Sequence, residues 1–446
     1  MWIKLEVISN DNNIIYLLKQ MSLKFLDEIT VSFGKKNATA LVKTLSDLDM
    51  EGGKSFENPL KIKVSKKLVS SLCLIHTLTY QIKYTDYRII IGPTIGLLLG
   101  EHNYLYCPRH MEKYSDRFGI YDKIGGLICA FSHKSIDWEK KEVYGLYFDN
   151  SKSIWNYGKF LLPTAIYRRD FHTDSKTEKK LLEVMDWKMF NSWRFTKFYL
   201  YKHVKRDKDL SKYLPPTQLC DNYEQIKTFI DKHNNVILKP THLSRGRGIC
   251  IINKEIETYK VFDYRGKDIE ELQLNDAEAL NVFFKSNADL FTKYLIQKHL
   301  LLAKVDGSPF DIRVVMQKEK LTEWKCTGIE CRVAAQKTLI TNISRGGYAL
   351  SLDEALQKSF PHSIEEQAKM KEHIQVLCIK LCKNLEHTSH HFAELGMDIA
   401  VDEQGNLWII EVNVFPSFKG FKEMNYETYL GIRHTPILYA AHLAGF

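Results

Sequence analysis

From residue 1 to about residue 88 apolar and polar positions alternate in short runs, IKLEVIS, EITVSF, ATALV, LKIKVS and YQIKY, with turn residues between them. A two-residue period in runs this short predicts half-buried strands, so this stretch is expected to be a β-rich module. The pattern changes at RIIIGPTIGLLLG (Arg88 to Gly100), where a β-branched run meets glycine and proline before an apolar stretch. That order predicts a buried strand, a turn and a helix. GLICAFS, EVYGLYFD and FLLPTAIYRRD read as further strands with helical material between them, giving a small α/β domain over 89–188. MFNSWRFTKFYLYKHV (Met189 to Val204) predicts a helix capped by Asn191 or Ser192. The remainder, 189–446, alternates strand and helix: YEQIKTFIDKH, VILK, YLIQKHL, FDIRVVMQ, WKCTGIECRVA, a long helix near Ser363 to Leu385, MDIAVD and LWIIEVNVF. The fold class expected is therefore α+β with α/β character, in three units of 1–88, 89–188 and 189–446.

Two places in this pattern carry chemistry. In VILKPTHLSRGRGICII (Val236 to Ile252), Lys239 ends a buried strand and precedes a loop containing Ser244, Gly246 and Gly248. A lysine leaving a core is costly unless an anion meets it, and glycines let backbone amides close over phosphates. The loop joins two strands, which separates it from P-loops and dinucleotide loops, both of which run into a helix. A glycine-rich turn with no ligand remains the plainer reading of this motif alone.

The second place is GMDIAVDEQGNLWIIEVNVFPS (Gly396 to Ser417). MDIAVD and LWIIEVN flank the turn DEQGN and should pair as a hairpin, with Asp398 opposite Glu411 and Asn413 on the same face as Glu411. Two carboxylates this close repel unless a cation joins them, and an oxygen-only set suits Mg²⁺. Between the two motifs, FDIRVVMQ alternates Asp311 and Arg313 with apolar neighbours, followed by Arg332, Asn342 and the pair Gly346–Gly347. Arginines on the same side as a phosphate loop could stabilise charge developing on a γ-phosphate.

Composition narrows the class. The chain has 446 residues, 44% hydrophobic and 26% charged, with a formal charge of +9. This fits a protein handling phosphates or acidic substrates and does not demand nucleic acid; the basic run Tyr201 to Lys212 reads as a solvated helix face. Nine scattered cysteines without a CxxC pair suggest reduced thiols in a cytoplasmic protein, Cys378 and Cys382 sharing one helix face. The start, MWIKLEVISN, has no long apolar core or small-residue cleavage site, so no signal peptide is expected. Apolar runs are too short to span a bilayer, so no membrane partner is expected. His387, His390 and His391 could bind zinc, but their place at a helix end, where imidazolium favours the dipole, gives the blander reading.

The ordered pieces K–P–loop–GxG, YLIQKHL, DIR, N–x–x–x–GG and D…E–x–N resemble the ATP-grasp superfamily. IIIGPTIGLLLG, GRGI, PFDIRVVMQ, W..TGIECRV and LGMDIAVDEQGNLWIIEVN are similar to the YheC/YheD family of spore-forming bacteria, described as endospore coat-associated. The resemblance implies an ATP-grasp fold from Met189 onward, with ATP and Mg²⁺ as cofactors. By the same resemblance Lys197 and Lys239 bind phosphates, and Ser244 to Gly248 form the lid. Gln297, Lys298, His299 and Leu300 form the adenine hinge, with Lys298 standing where many relatives carry Glu. Arg313 serves the γ-phosphate and the reaction centre, Arg332, a second candidate catalytic residue, and Asn342 are weaker carry-overs, and Asp398, Glu411 and Asn413 hold magnesium. The implied reaction joins a small-molecule or peptide carboxylate to an amine through an acyl phosphate, with spore coat proteins as further candidate partners. A small-molecule kinase and a non-enzymatic coat protein that keeps the fold are the alternatives.

Overall fold

A computed structural model describes residues 1–18, 27–44, 52–85, 87–169, 175–241, 247–266, 268–291, 293–320, 323–336, 338, 340–341, 346–361 and 364–446. The N-terminal alternation closes into a barrel. Its strands are Trp2–Ile8, Ile14–Leu17, Glu28–Phe33, Lys36–Thr44, Leu60–Ser65, Thr79–Thr85 and Arg88–Gly92, and Trp2–Ile8 pairs with Thr79–Thr85 to complete the ring. Alternate residues such as Ile3, Leu5, Val31, Ile62, Ile82 and Ile91 point inward and form one apolar core.

The stretch after Pro93 departs from the expected helix. Thr94–Leu98 is a fully buried strand, parallel to both Leu127–Asp137 and Ala165–Arg168. An apolar run this short reads equally as a helix segment or as an interior strand, and parallel pairing on both sides decides it. The helical material expected between the next strands is also absent there. Leu127–Asp137, Glu142–Asp149 and Ile154–Leu161 form an antiparallel meander, and FLLPTAIYRRD divides at Pro163 between two strands.

Met189–Phe190 is likewise a short strand, parallel to Ala165–Arg168, and the predicted helix begins only at Lys197, capped by Thr196. Asn191 and Ser192 therefore cap no helix. Asn191 is buried with φ 52°, and its side chain accepts from the amides of Ala393 and Glu394 and donates to the carbonyls of Glu394 and Val414. Ser192 receives the His391 amide on its hydroxyl. The residues read as a cap instead clamp the end of the C-terminal sheet.

From residue 217 onward two sheets carry the chain. The first runs Thr217–Leu219, Tyr294–Lys298, Asn235–Pro240, Cys250–Glu255, Thr258–Asp263 and Glu270–Leu274, all antiparallel, with the helices Tyr223–His233 and Ala277–Ser286 on one face. The second runs Tyr348–Leu350, Trp324–Val333, Ser308–Lys318, Glu394–Val401 and Leu407–Asn413, its apolar face packed under the helix Ile364–Glu386. The C-terminal helix Tyr426–Leu443 returns to the second unit, where Ile437, Tyr439, Ala440 and Ala441 join the core around Ile95 and Leu97. All nine cysteines are free thiols, and Cys378 and Cys382 are buried together under the C-terminal sheet. No helix among the described residues is long and apolar enough to cross a membrane.

Candidate active site

One face of the C-terminal sheet is polar although it is buried. The register places Asp311 opposite Arg332, Arg313 opposite Glu330 and Asp398, and Asp398 opposite Glu411, with Gly396 opposite Asn413. Period-two alternation therefore gathers Asp311, Arg313, Glu330, Arg332, Asp398, Glu411 and Asn413 on one surface. A bulge between Asp398 and Ile399 shifts the register near the turn by one residue on one strand, and the Asp398–Glu411 pairing expected from the turn lies beyond it.

Two of these carboxylates are held by guanidinium groups. Arg332 grips Asp311 through Nε and Nη2, both at 2.6 Å, and Thr341 Oγ1 donates to Asp311 Oδ2 at 2.6 Å. Arg313 donates to Asp398 from Nε at 2.5 Å and from Nη2 at 3.2 Å, and Arg332 Nη2 adds a 3.0 Å contact to Asp398 Oδ2. Burial alone would lift the Asp398 carboxyl; Arg313 and Arg332 outweigh it and hold the group below the usual aspartate value.

The lysines reach this face from the opposite side. Thr196 caps the helix Lys197–Val204 and fixes its first turn, from which Lys197 Nζ approaches Glu411 Oε1 at 3.7 Å. Lys239 lies on the cleft face of its strand, since its neighbours Val236 and Leu238 point into the helix-covered core. Its ammonium donates to Gln297 Oε1 at 2.7 Å, and Gln297 donates in turn to Thr217 Oγ1 at 2.8 Å. Desolvation lowers Lys239 to about 8, with Glu411 pulling it back up and Lys197 pressing it further down. Those same groups lie across the cleft, so the lysine and carboxylate motifs share one field. Ile237 and Ile251 on the same face meet Ile340, from the connection that follows the strand Trp324–Val333, giving the cleft an apolar end.

The hinge divides by alternation. Gln297 faces the cleft, while Lys298 sits opposite Val236 on the helix side, where its charge presses the His233 pKa down behind the effects of burial and of Lys232. The residue standing in place of the relatives' Glu therefore sends its side chain away from the site. The Lys298 amide donates to the Pro216 carbonyl and the His299 amide to the Asn235 carbonyl. Pro216 has no amide hydrogen to return, so the Lys298 carbonyl has no donor across that pair. Burial lowers the His299 imidazole to about 4, which keeps it neutral. Gly248 is buried at φ 73°, a conformation that suits glycine, where the loop rejoins the strand Cys250–Glu255. Ser244, Gly246 and Asn342 lie outside the described residues.

Glu330 was not singled out from the sequence. It is 2% exposed, and its Oε2 has no hydrogen-bond partner. Burial raises its carboxyl to about 7 against the pull of Arg313 and Arg332. Its signal was present: in WKCTGIECRV, Glu330 and Arg332 alternate with Ile329, Cys331 and Val333 as Asp311 and Arg313 do in FDIRVVMQ. The histidines after the long helix have packing roles. His390 stacks on Trp193 at 4.3 Å, and His391 bonds the Trp187 carbonyl and the Tyr439 hydroxyl. Burial lowers both imidazoles, so the expected interaction of imidazolium with the helix dipole does not account for them.

Magnesium suits an oxygen-only donor set of this kind. Glu411 has the loose approach of Lys197 as its ion pair, and Asn413 makes no side-chain hydrogen bond among the described residues. Both could turn an oxygen to a cation. Asp398 shares their face, but both its oxygens are engaged by arginines.

A polar strip on one sheet that faces two lysines across a cleft fits an ATP-grasp fold. The YheC/D-like ATP-grasp family model matches residues 186–443, and the chain belongs to that family. It is 22% identical over 376 residues to the endospore coat-associated protein YheD of Bacillus subtilis (strain 168), covering 82% of this chain and 81% of the relative. It is 24% identical over 324 residues to YheC of the same organism, covering 71% and 86%. Among solved structures it is similar to the ATP-grasp ligase PsnB complexed with a minimal precursor, at 16% identity and a TM-score of 0.43, covering 78% of this chain and 99% of that one.

Proposed function

We propose that the protein is an ATP- and Mg²⁺-dependent ligase that joins a carboxylate to an amine through an acyl phosphate. The observation that carries this reading is the convergence of Lys197 and Lys239 on the face that bears Arg313, Asp398, Glu411 and Asn413. Lys197 and Lys239 neutralise the triphosphate, and the loop ending at Gly248 closes over it. The carbonyl of Lys298 accepts from the adenine amino group while Ile237, Ile251 and Ile340 flank the ring. Glu411 and Asn413, with Asp398, would hold magnesium, which when bound supplies charge neutralisation at the phosphates. A substrate carboxylate oxygen attacks the γ-phosphorus and ADP leaves. The amine then attacks the acyl carbon, phosphate leaves, and the amine loses its proton. Arg313 and Arg332 would stabilise the negative charge that builds on the transferred group. Exclusion of water from the closed cleft protects the acyl phosphate from hydrolysis.

We further propose that the chain comprises three units close to 1–88, 89–188 and 189–446, the barrel taking in the strand Arg88–Gly92 and the C-terminal helix packing back on the second unit, and that the protein acts with the spore coat after synthesis in the cytoplasm, in line with its relatives' names.

The test uses purified protein with Mg²⁺, ATP and a mixture of amino acids, short peptides and dicarboxylates, read by mass spectrometry. ADP, free phosphate and a new amide are expected, and Lys239→Ala or Glu411→Gln should abolish them in chains that still fold. Phosphate retained on the acceptor would make the protein a kinase, and AMP with pyrophosphate would exclude the acyl-phosphate route.

A further inference from the structure

Where the unit 89–188 meets the C-terminal sheet and the C-terminal helix, three arginines come together with too few anions. Arg117 is 0% exposed, yet its Nε and Nη2 have no partner and its Nη1 has only a 3.4 Å approach to the Arg433 carbonyl. Its guanidinium lies 5.2 Å from the Tyr167 ring, and that of Arg169 lies 5.8 Å from the same ring. Arg433 donates from Nη2 to the Lys113 carbonyl at 2.7 Å, but its buried Nε has no partner. The carboxylates at hand are already taken. Glu394 receives Tyr167, Arg169 and Gln317, and Asp116 receives the Tyr429 hydroxyl and Lys422. Among the described residues neither Arg117 nor Arg433 has a carboxylate within ion-pair distance.

The Tyr167 ring does not resolve this. A ring face meets the flat of a guanidinium, while the N–H donors point outward in its plane and remain unmet. A buried cation without an anion is unfavourable, and the planar fork matches a carboxylate or phosphate. Burial and the charge of Arg117 depress Arg433 to about 10, which marks the same deficit. Arg169 and Arg433 are half-buried and Lys113 is exposed, so the cluster opens to solvent on that side.

We propose that Arg117, Arg169 and Arg433 bind an oxyanion, the distal carboxylate of an extended substrate. The position supports this assignment. Arg169 Nη2 donates to the Pro416 carbonyl at 3.2 Å, and Arg313 Nη1 approaches the Ser417 carbonyl at 3.5 Å, so one segment links the cluster to the reaction face. A Cβ on Gly396 would stand 2.6 Å from Pro416, which shows how closely that segment lies on the sheet. Glu394, Gly396 and Asp398 share one strand face, and four residues of strand span about 13 Å. The anion therefore lies too far from Asp398 to be the carboxyl that is phosphorylated. It is the second charged end of a dicarboxylate or of a peptide that ends in carboxylate. This role rests on the ligase reading; the anion site itself does not.

The test measures thermal unfolding of the full chain without nucleotide, titrating glutarate and inorganic phosphate separately at constant ionic strength. A saturable rise in midpoint of a few degrees is expected with glutarate, lost in Arg433→Gln. Arg117→Met should also lose the rise while melting no lower than the wild type in buffer, because it removes an uncompensated charge. A rise with phosphate and not glutarate would keep the oxyanion site and reassign its ligand from a carboxylate to a phosphate end. No saturable rise with either anion, or an undiminished rise in Arg433→Gln, would overturn the site. Since no ATP is present, failure of the ligase reading leaves these outcomes unchanged.

Discussion

In the barrel, exposed Lys4 and Glu6 alternate with inward Ile3 and Leu5; in the C-terminal sheet, Asp311 and Arg313 alternate with Phe310 and Ile312, and all four are buried. Both regions follow the same two-residue period. In the barrel the polar face meets water, and a charge there needs no partner. In the C-terminal sheet the polar face is covered, and Asp311, Arg313, Arg332 and Asp398 are 6% to 8% exposed. Each charge must then be matched by another charge or by a ligand. Alternation therefore reports only that two faces differ. Pairing density and unmatched donors show which polar face is built for chemistry.

That contrast breaks most sharply at Asp398. Asp398→Ala removes the anion that Arg313 and Arg332 share. Leaving the buried Arg313 guanidinium without its ion pair, while Arg332 keeps Asp311, should cost about 3–5 kcal/mol in urea unfolding. Asp398→Asn keeps an acceptor oxygen and should cost less. A loss below about 1 kcal/mol for the alanine variant would mean that water reaches this face as it reaches the barrel's.

Asn191 is the next largest. Asn191→Ala leaves the amides of Ala393 and Glu394 and the carbonyls of Glu394 and Val414 without this partner, and puts alanine at φ 52°. The expected cost is about 3–4 kcal/mol. Asn191→Gly relieves the backbone but not the hydrogen bonds, so it should recover only a minor part. Full recovery by glycine would show that the residue serves conformation alone.

Glu330 tests the sheet with the opposite sign. Its folded carboxyl titrates near 7 against an ordinary value of 4.5, with burial as the main cause. The folded chain then keeps a proton that the unfolded chain releases between these two values. Glu330 thus costs nothing below about pH 4.5, and its cost grows as pH rises to about 7. Glu330→Gln should stabilise the protein at pH 8 by on the order of 3 kcal/mol and leave it unchanged at pH 4. A difference that does not vary with pH would remove titration as the explanation.

These residues also mark how far the sequence could be read. The hairpin that carries Asp398 and Glu411 was legible because the turn DEQGN separates two apolar runs, although their pairing itself depends on the bulge between Asp398 and Ile399, which the turn does not announce; Lys239 was legible because a lysine breaks an apolar run just before glycines. Asn191 was misread because a cap and a sheet clamp present the same side chain, and only contacts with Glu394 and Val414 distinguish them. Thr94–Leu98 was misread because its parallel neighbours begin at Leu127 and Ala165, far along the chain. Arg117 could not be read at all, since its unmet donors exist only once Tyr167 and Arg433 are folded around it.

The smallest effect belongs to the barrel's exposed face. Lys4 is exposed and lies directly opposite Lys61 in the pairing of Trp2–Ile8 with Leu60–Ser65. Like charges facing across a strand pair repel weakly in water, and threonine suits a strand better than lysine. Lys4→Thr should therefore stabilise the chain slightly, by about 0.2–0.5 kcal/mol, with the gain shrinking as salt screens the repulsion. The same urea series that reads Asp398→Ala can read it. A cost above about 1 kcal/mol for Lys4→Thr would mean that something other than water meets the barrel's outer face, and the two regions would then use their charges alike.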